Sequence, residues 1–235
     1  MQAECILVID SGYTQTTVTP VLYGRPIQSA VRRLELGGKQ LTNYLKELIS
    51  LRHYGLMDDP YLVSQIKEDA CFISQDFRRD IEKAWKGNAL LRTTSSTRGQ
   101  PETVQEYVLP DYLTTFRGHL RDRDITKNIP GSRFGTGAAN PAQAQEESFP
   151  LGNERFVVPE LLFSPSDIGM SQAGLPEMVV QSLSSVPSGL WPVLLANVIV
   201  VGGNAKMPGF VERLQNELRA LTPADCMLRV RCPEE

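Results

Sequence analysis

The chain is 235 residues long, 41% hydrophobic and 22% charged, enough for a sizeable buried core in one large domain or two small ones. Its net charge of −3 gives no whole-chain reason for nucleic-acid or lipid attraction, and no apolar run approaches the ~20 residues a membrane span needs. Four widely spaced cysteines without a C-x-x-C pair (Cys5, Cys71, Cys226, Cys232) and two histidines, His53 and His119, leave metal, disulfide-frame and histidine-triad chemistry little to draw on; a reducing compartment is expected.

The stretch after Met1 is too short and acidic for a secretory signal. From Cys5 to Leu36 the pattern is β. Cys5–Ile9 is an apolar run suited to a buried strand, Asp10-Ser11-Gly12 a turn, and Thr16–Leu22 a second strand rich in β-branched residues. Gly24-Arg25-Pro26 turns the chain again and Ala30–Leu36 runs extended, which predicts a three-stranded antiparallel meander. Gly37-Gly38 breaks that pattern and opens a helix with Leu41, Leu45 and Leu48 on one stripe. A second helix starts near Asp59-Pro60 and carries Leu62, Val63, Ile66 and Ala70. A third is expected from Ser74 to Trp85, stopped by Lys86-Gly87-Asn88.

Between about 88 and 150, Pro, Gly, Ser, Thr, Gln and Ala dominate, and Tyr107-Val108-Leu109-Pro110 is the one strand-like island. Residues 89–103 and 114–148 read as two mobile insertions. The second begins basic, with Arg117, His119, Arg121, Arg123, Lys127 and Arg133, interrupted by Asp122 and Asp124. It reads as a solvated loop, or as an arm touching histone or DNA. Beyond it a short extended piece is expected from Asn153 towards the helix-start signal Ser164-Pro165-Ser166-Asp167, then a helix over Pro176–Leu183. Ala196–Val201 is a buried strand running into Gly202-Gly203-Asn204. Phe210, Leu214, Leu218 and Leu221 recur at helical spacing, and Met227–Val230 is a last short strand.

An apolar strand running into Asp-Ser-Gly can grip phosphate, because successive backbone N–H groups form an anion-binding nest and glycine permits close approach. A carboxylate at the strand end can hold a hydrated Mg²⁺ through water. The strand–Gly-Gly–helix run at 196–215 offers a similar approach near a helix N-terminus. Each also reads as an ordinary turn, and neither is a Walker loop or a dinucleotide fingerprint.

Taken together and in order, these strings resemble the actin family. Val8-Ile9-Asp10-Ser11-Gly12 is similar to the family's second phosphate hairpin, and Arg33–Leu45 to the strand–helix junction that follows it. Ile66-Lys67-Glu68, Cys71 and Asp76-Phe77 resemble the helix pair beneath the ribose. Tyr107–Asp111, Asn153–Phe156, Pro159–Ser166, Gly169-Met170, Gly202–Asn204, Pro208-Gly209 and Arg213 follow in family order. Val63–Phe77, Ser166–Gly169 and Leu221-Thr222-Pro223 resemble a nuclear branch of actin-related proteins within that family.

The resemblance implies an α/β, actin-like ATPase (ribonuclease-H-like) fold, second lobe only and incomplete at both ends. An inner subdomain would take residues 1–37 and 170–235, and an outer one 38–169. It also implies a nucleotide cleft. Asp10, Ser11 and Gly12 would meet the phosphates, with Asp10 near the metal, and Gly38 would lie under the ribose. Glu68 would accept from the ribose hydroxyls, Lys67 would lie against the base, and Gly202, Gly203 and Asn204 would wall the adenine. ATP or ADP with Mg²⁺ is expected as a structural ligand of the full-length protein, and none for this fragment alone.

The departures bear on catalysis. Tyr13 stands where the family has an acidic residue that holds the metal's water. Thr17 stands where it has the histidine that orients the attacking water, and Ser64 where it has an arginine. Phosphoryl transfer to water needs metal, positioned water and charge stabilisation together, so no catalytic or metal-ligating residue is assigned. The resemblance thus implies a nuclear, non-catalytic scaffold subunit of an ATP-driven chromatin remodeller that exchanges a variant histone. Its partners would be the other subunits, with histones or the nucleosome reached indirectly and no membrane; the cytoplasm is a second location. The alternatives are an ATP-hydrolysing enzyme of the same fold and a filament-forming cytoskeletal actin-like protein.

Overall fold

A computed structural model describes residues 4–53, 55–93, 104–113, 115–122 and 147–233, with side chains for all of these except 86–93 and 122. Most of the two expected insertions, including Arg123, Lys127 and Arg133, lies outside the described residues.

Strand β1 (Cys5–Ser11) alternates, with Cys5, Leu7, Ile9 and Ser11 turned inward. It runs antiparallel to β2 (Thr16–Leu22), in register from Cys5↔Leu22 to Ser11↔Thr16. The third strand of the meander is split rather than continuous. β3 (Arg25–Pro26) pairs with Val21 and Leu22, a 3₁₀ turn occupies Gln28–Ala30, and β4 (Arg32–Leu34) pairs with Thr16–Val18. The gap falls at Pro20, whose carbonyl on that edge accepts from Ile27 at 2.9 Å. A proline has no N–H to continue a ladder there, so the partner strand cannot run past it.

Helix α1 (Gly38–Arg52) buries Leu41, Leu45 and Ile49, a stripe displaced by one residue from the expected Leu48. It packs on α2 (Pro60–Ala70), whose Leu62, Val63, Ile66 and Ala70 are all buried. Helix α3 (Phe77–Thr93) runs through Gly87 instead of stopping there. A glycine inside a helix costs only about 1 kcal/mol relative to alanine, and the following Ala89, Leu90 and Leu91 are strong helix formers. β5 (Gln105–Val108) is flanked on both sides by antiparallel partners, β6 (His119–Asp122) and β7 (Ser148–Leu151). His119–Asp122 and Ser148, within the expected 114–148 insertion, are therefore strand. The basic start of that segment is paired locally: Arg117 with Asp69 at 2.6 Å and Arg121 with Glu106 at 3.0 Å.

Helix α4 (Glu154–Glu160) replaces the extended piece expected after Asn153, and it buries Phe156 and Val158. α5 (Leu175–Ser184) lies over β2 and β4, where the Ser182 hydroxyl donates to the carbonyl of Ala30 at 2.7 Å. α6 (Trp191–Leu195) lies against β1. β8 (Val198–Val201), α7 (Phe210–Leu221) and β9 (Val230–Arg231) complete the chain. The larger sheet has the order β3-β2-β1-β8-β9, with β4 also on β2, and β1, β8 and β9 run parallel. Phe210, Leu214 and Leu218 of α7 are fully buried, each burial stabilising by roughly 1.5–3 kcal/mol before entropy is counted. A single buried cluster runs from Leu7 and Val200 of this sheet to Tyr107 and Phe149 of the smaller one. Among the described residues no helix is long and apolar enough to cross a membrane.

Candidate functional site

Four pieces of chain meet around a cleft of about 440 Å³: the β1–β2 turn, the start of α1, the middle of α2 and the 3₁₀ turn Gly203–Lys206 after β8. Its lining is Gly12, Tyr13, Gly38, Ser64, Lys67, Glu68, Gly203, Asn204, Lys206 and Met207. Six of the nine residues expected at a nucleotide are in that set; Asp10, Ser11 and Gly202 are not.

Ser11 and Gly202 serve the frame behind the cleft, and Asp10 sits at its edge, with Oδ1 3.5 Å from where a Cβ on Gly12 would stand. Ser11 is fully buried, its hydroxyl 3.2 Å from that of Thr16. Asp10 is exposed and sits opposite Thr17 in the β1–β2 register. Gly202 has φ +99, and a Cβ there would lie 2.3 Å from the Ser11 carbonyl oxygen and 3.0 Å from Asp10 Oδ1. Only glycine lets the ends of β1 and β8 come this close.

The turn itself is held by its carbonyls. Gly12 O accepts from the Gly38 N–H at 3.0 Å and from Asn204 Nδ2 at 2.9 Å, and Tyr13 O accepts from the Lys39 N–H at 2.7 Å. Asn204 Nδ2 also reaches Ser11 Oγ at 3.1 Å. The Gly12 N–H, expected to face phosphate, donates to the Gln15 carbonyl at 3.1 Å and closes the hairpin on itself. The first N–H groups of α1 are likewise engaged with the turn.

Gly38 makes the space that matters. A Cβ there would stand 3.2 Å from Lys67 Nζ, 3.3 Å from Asn204 Oδ1 and 3.3 Å from a ring carbon of Tyr13, so three chemically different groups converge on one vacancy. Lys67 is 4% exposed and its ammonium donates to Gly38 O at 3.1 Å and Thr42 Oγ1 at 3.0 Å. Burial pushes it below the ordinary lysine range, against the pull of Glu68. Two of its three N–H bonds thus tie α2 to the start of α1, a positioning role that the isolated Lys-Glu pair does not announce. Glu68 is exposed and accepts from Ser64 Oγ at 3.4 Å. Lys206 and Met207 were not among the expected residues; the signal for them was a lysine within four residues of Gly202-Gly203.

One further group shapes the surroundings. The Arg213 guanidinium of α7 reaches Glu160 of α4, the Ser74 carbonyl and Glu217, and it lies 5.2 Å from the centre of the Phe163 ring. Ile73 N–H to Pro208 O at 2.8 Å and Gln75 Nε2 to Gly209 O at 2.9 Å run alongside it. These contacts pin the segment after α2 to the segment before α7, which supplies the opposite wall of the cleft. Among the described residues no group of three or more His, Cys, Asp or Glu is placed to hold a metal.

A β1–β2 hairpin and a glycine-rich turn after a parallel strand, facing a helix pair across one cleft, define an actin-like α/β protein. The chain belongs to the actin family: the family model described as Actin matches residues 2–235. It is 51% identical over 237 residues to the actin-like protein arp6 of Emericella nidulans, covering 99% of this chain and 48% of that one. It is 41% identical over 235 residues to actin-related protein 6 of Drosophila melanogaster, covering 100% of this chain and 53% of that one. With actin-related protein 6 of Arabidopsis thaliana the identity is 38% over 242 residues, 100% of this chain and 55% of the relative. The chain spans about half the length of the curated relatives it matches.

Proposed function

We propose that the protein is a non-catalytic actin-related subunit of a nuclear, ATP-dependent chromatin-remodelling assembly that exchanges a variant histone, and that it acts there as a scaffold. Partner subunits would dock on it, histones would be reached indirectly, and ATP or ADP would sit in the cleft as a structural ligand of the whole protein. The observation that carries this reading is the pair of side chains flanking Asp10-Ser11-Gly12. Tyr13 is 59% exposed at the cleft rim and Thr17 stands opposite Asp10, so neither position carries the carboxylate or the imidazole that would hold or orient a water. Glu68, the one carboxylate in the lining, hangs from α2 beside Ser64, across the cleft from the hairpin. Relatives carrying the actin-related protein 6 name support the same branch of the family.

The test is isolation of the tagged protein from nuclei of its source cells. Co-purification at constant ratio with a remodelling ATPase and histones is expected; a protein that runs alone sinks the subunit reading. ATP turnover by the isolated protein, lost in Asp10→Ala, would put the enzyme reading in its place.

A further inference from the structure

We propose that the cleft reads the sugar of its nucleotide: the Asn204 side-chain carbonyl takes a hydrogen bond from one ribose hydroxyl over Gly38, so that ribonucleotides are held in preference to deoxy forms. This rests on the nucleotide reading above and names the part of the ligand that Asn204, expected at the adenine, meets.

The direction of the Asn204 amide is fixed from behind. The Thr16 hydroxyl donates to the Leu36 carbonyl at 2.9 Å, so toward Ser11 Oγ, at 3.2 Å, it can only accept. Ser11 therefore gives its one hydrogen to Thr16 and accepts from Asn204 Nδ2 at 3.1 Å. The second Nδ2 hydrogen goes to the Gly12 carbonyl at 2.9 Å, and turning the amide over would set oxygen against oxygen. Oδ1 is thus the end left toward the cleft, and among the described residues nothing donates to it. Ser11 and Thr16 are fully buried and Asn204 is 3% exposed, so this acceptor is held in place by the core.

What the acceptor faces narrows its ligand. The side of Gly38 where a Cβ would stand has Asn204 Oδ1 at 3.3 Å, Lys67 Nζ at 3.2 Å and a Tyr13 ring carbon at 3.3 Å. Lys67 gives two of its hydrogens to Gly38 O and Thr42 Oγ1, and one remains. A group seated there meets an acceptor and a donor together, beside an aromatic wall. A phosphate oxygen only accepts and would oppose Oδ1. The exocyclic amine of adenine only donates and would oppose the ammonium. A hydroxyl does both, and in ATP or ADP the hydroxyls are those of the ribose.

The experiment uses the full-length protein in its native assembly, with labelling by radioactive 8-azido-ATP read on this subunit after denaturing electrophoresis. ATP, 2′-deoxy-ATP and 3′-deoxy-ATP are the competitors. ATP is expected to compete at least about tenfold better than one of the two deoxy forms, since a site that bonds a hydroxyl rejects the analogue without it. Equal competition by all three overturns the proposal and leaves the nucleotide reading standing; labelling that ATP does not reduce overturns both. In Asn204→Ala the preference should fall to within about twofold. Gly38→Ala, which leaves the Ser11–Thr16 chain untouched, should do the same by filling the hollow. A tenfold preference that survives in either variant overturns the proposal.

Discussion

Arg213 and Glu160 face each other as a two-pronged ion pair, Nη2 to Oε1 at 2.9 Å and Nη1 to Oε2 at 3.4 Å, with side chains only 12% and 3% exposed. The pair joins α7 to α4, and the same guanidinium bonds the Ser74 carbonyl that follows α2. Removing Arg213 deprives Glu160, Glu217 and the Ser74 carbonyl of their shared donor at once. Arg213→Ala is therefore expected to destabilise the fold by about 3–5 kcal/mol, read by urea denaturation, with Arg213→Lys intermediate because an ammonium cannot make the fork.

Glu160 gives the pair a pH signature. Burial lifts its carboxyl to about 7, against the pull of Arg213. The folded protein then holds that proton to a higher pH than the unfolded chain does. Between about pH 4.5 and 7 the native state binds more protons, so this contribution to stability falls as pH rises across that window and is level above it, by roughly 3 kcal/mol in all. Glu160→Gln should flatten this slope whatever it does to absolute stability. An unchanged slope in a urea series from pH 4.5 to 7.5 would contradict the assignment.

Gly202→Ala should lose about 2–4 kcal/mol, seen as a lower thermal midpoint, since a positive φ and a 2.3 Å approach to Ser11 O both forbid a Cβ. Gly38→Ala should cost less than Gly202→Ala, because its nearest neighbours at 3.2–3.3 Å are side-chain atoms rather than backbone. It should still reduce nucleotide occupancy.

Thiol chemistry offers an independent check of the core. Burial pushes the Cys71 thiol up to about 12, ahead of the opposing pull of Lys67. Cys5 and Cys226 are also buried, and Cys232 is half-buried. Native protein at pH 8 should show one fast-reacting thiol per chain, Cys232, and release the other three only on unfolding. A fast reaction mapped to Cys71 by mass spectrometry would mean that α2 is packed differently.

Local pattern made the two main strands, the first two helices and α7 legible, because their apolar periods match what they bury. What pattern could not show was pairing at a distance. β6 and β7 are four residues each, drawn to β5 from 11 and 40 or more residues away, too short for their pattern to announce a partner. Gly87 and the stretch after Asn153 misled in opposite directions: a stop signal that tertiary context overrides, and a helix with Pro159 inside it that reads as extended. In the cleft, family order singled out glycines and a Lys67-Glu68 pair that the fold brings to one lining. The commitment of Lys67 Nζ to Gly38 and Thr42 was not legible, because it depends on how α1 and α2 pack.

The two glycines, Gly202 and Gly38, answer to different pressures. Every other residue has a Cβ, so any replacement at Gly202 breaks the contact between two strand ends, and the position is guarded by folding alone. A methyl at Gly38 meets only side-chain atoms, at 3.2–3.3 Å, and enters the hollow. A lineage that stopped using its ligand would drift freely at Gly38 while keeping Gly202. Set side by side across descendants, the two positions form a record of ligand use that can be read without a binding experiment.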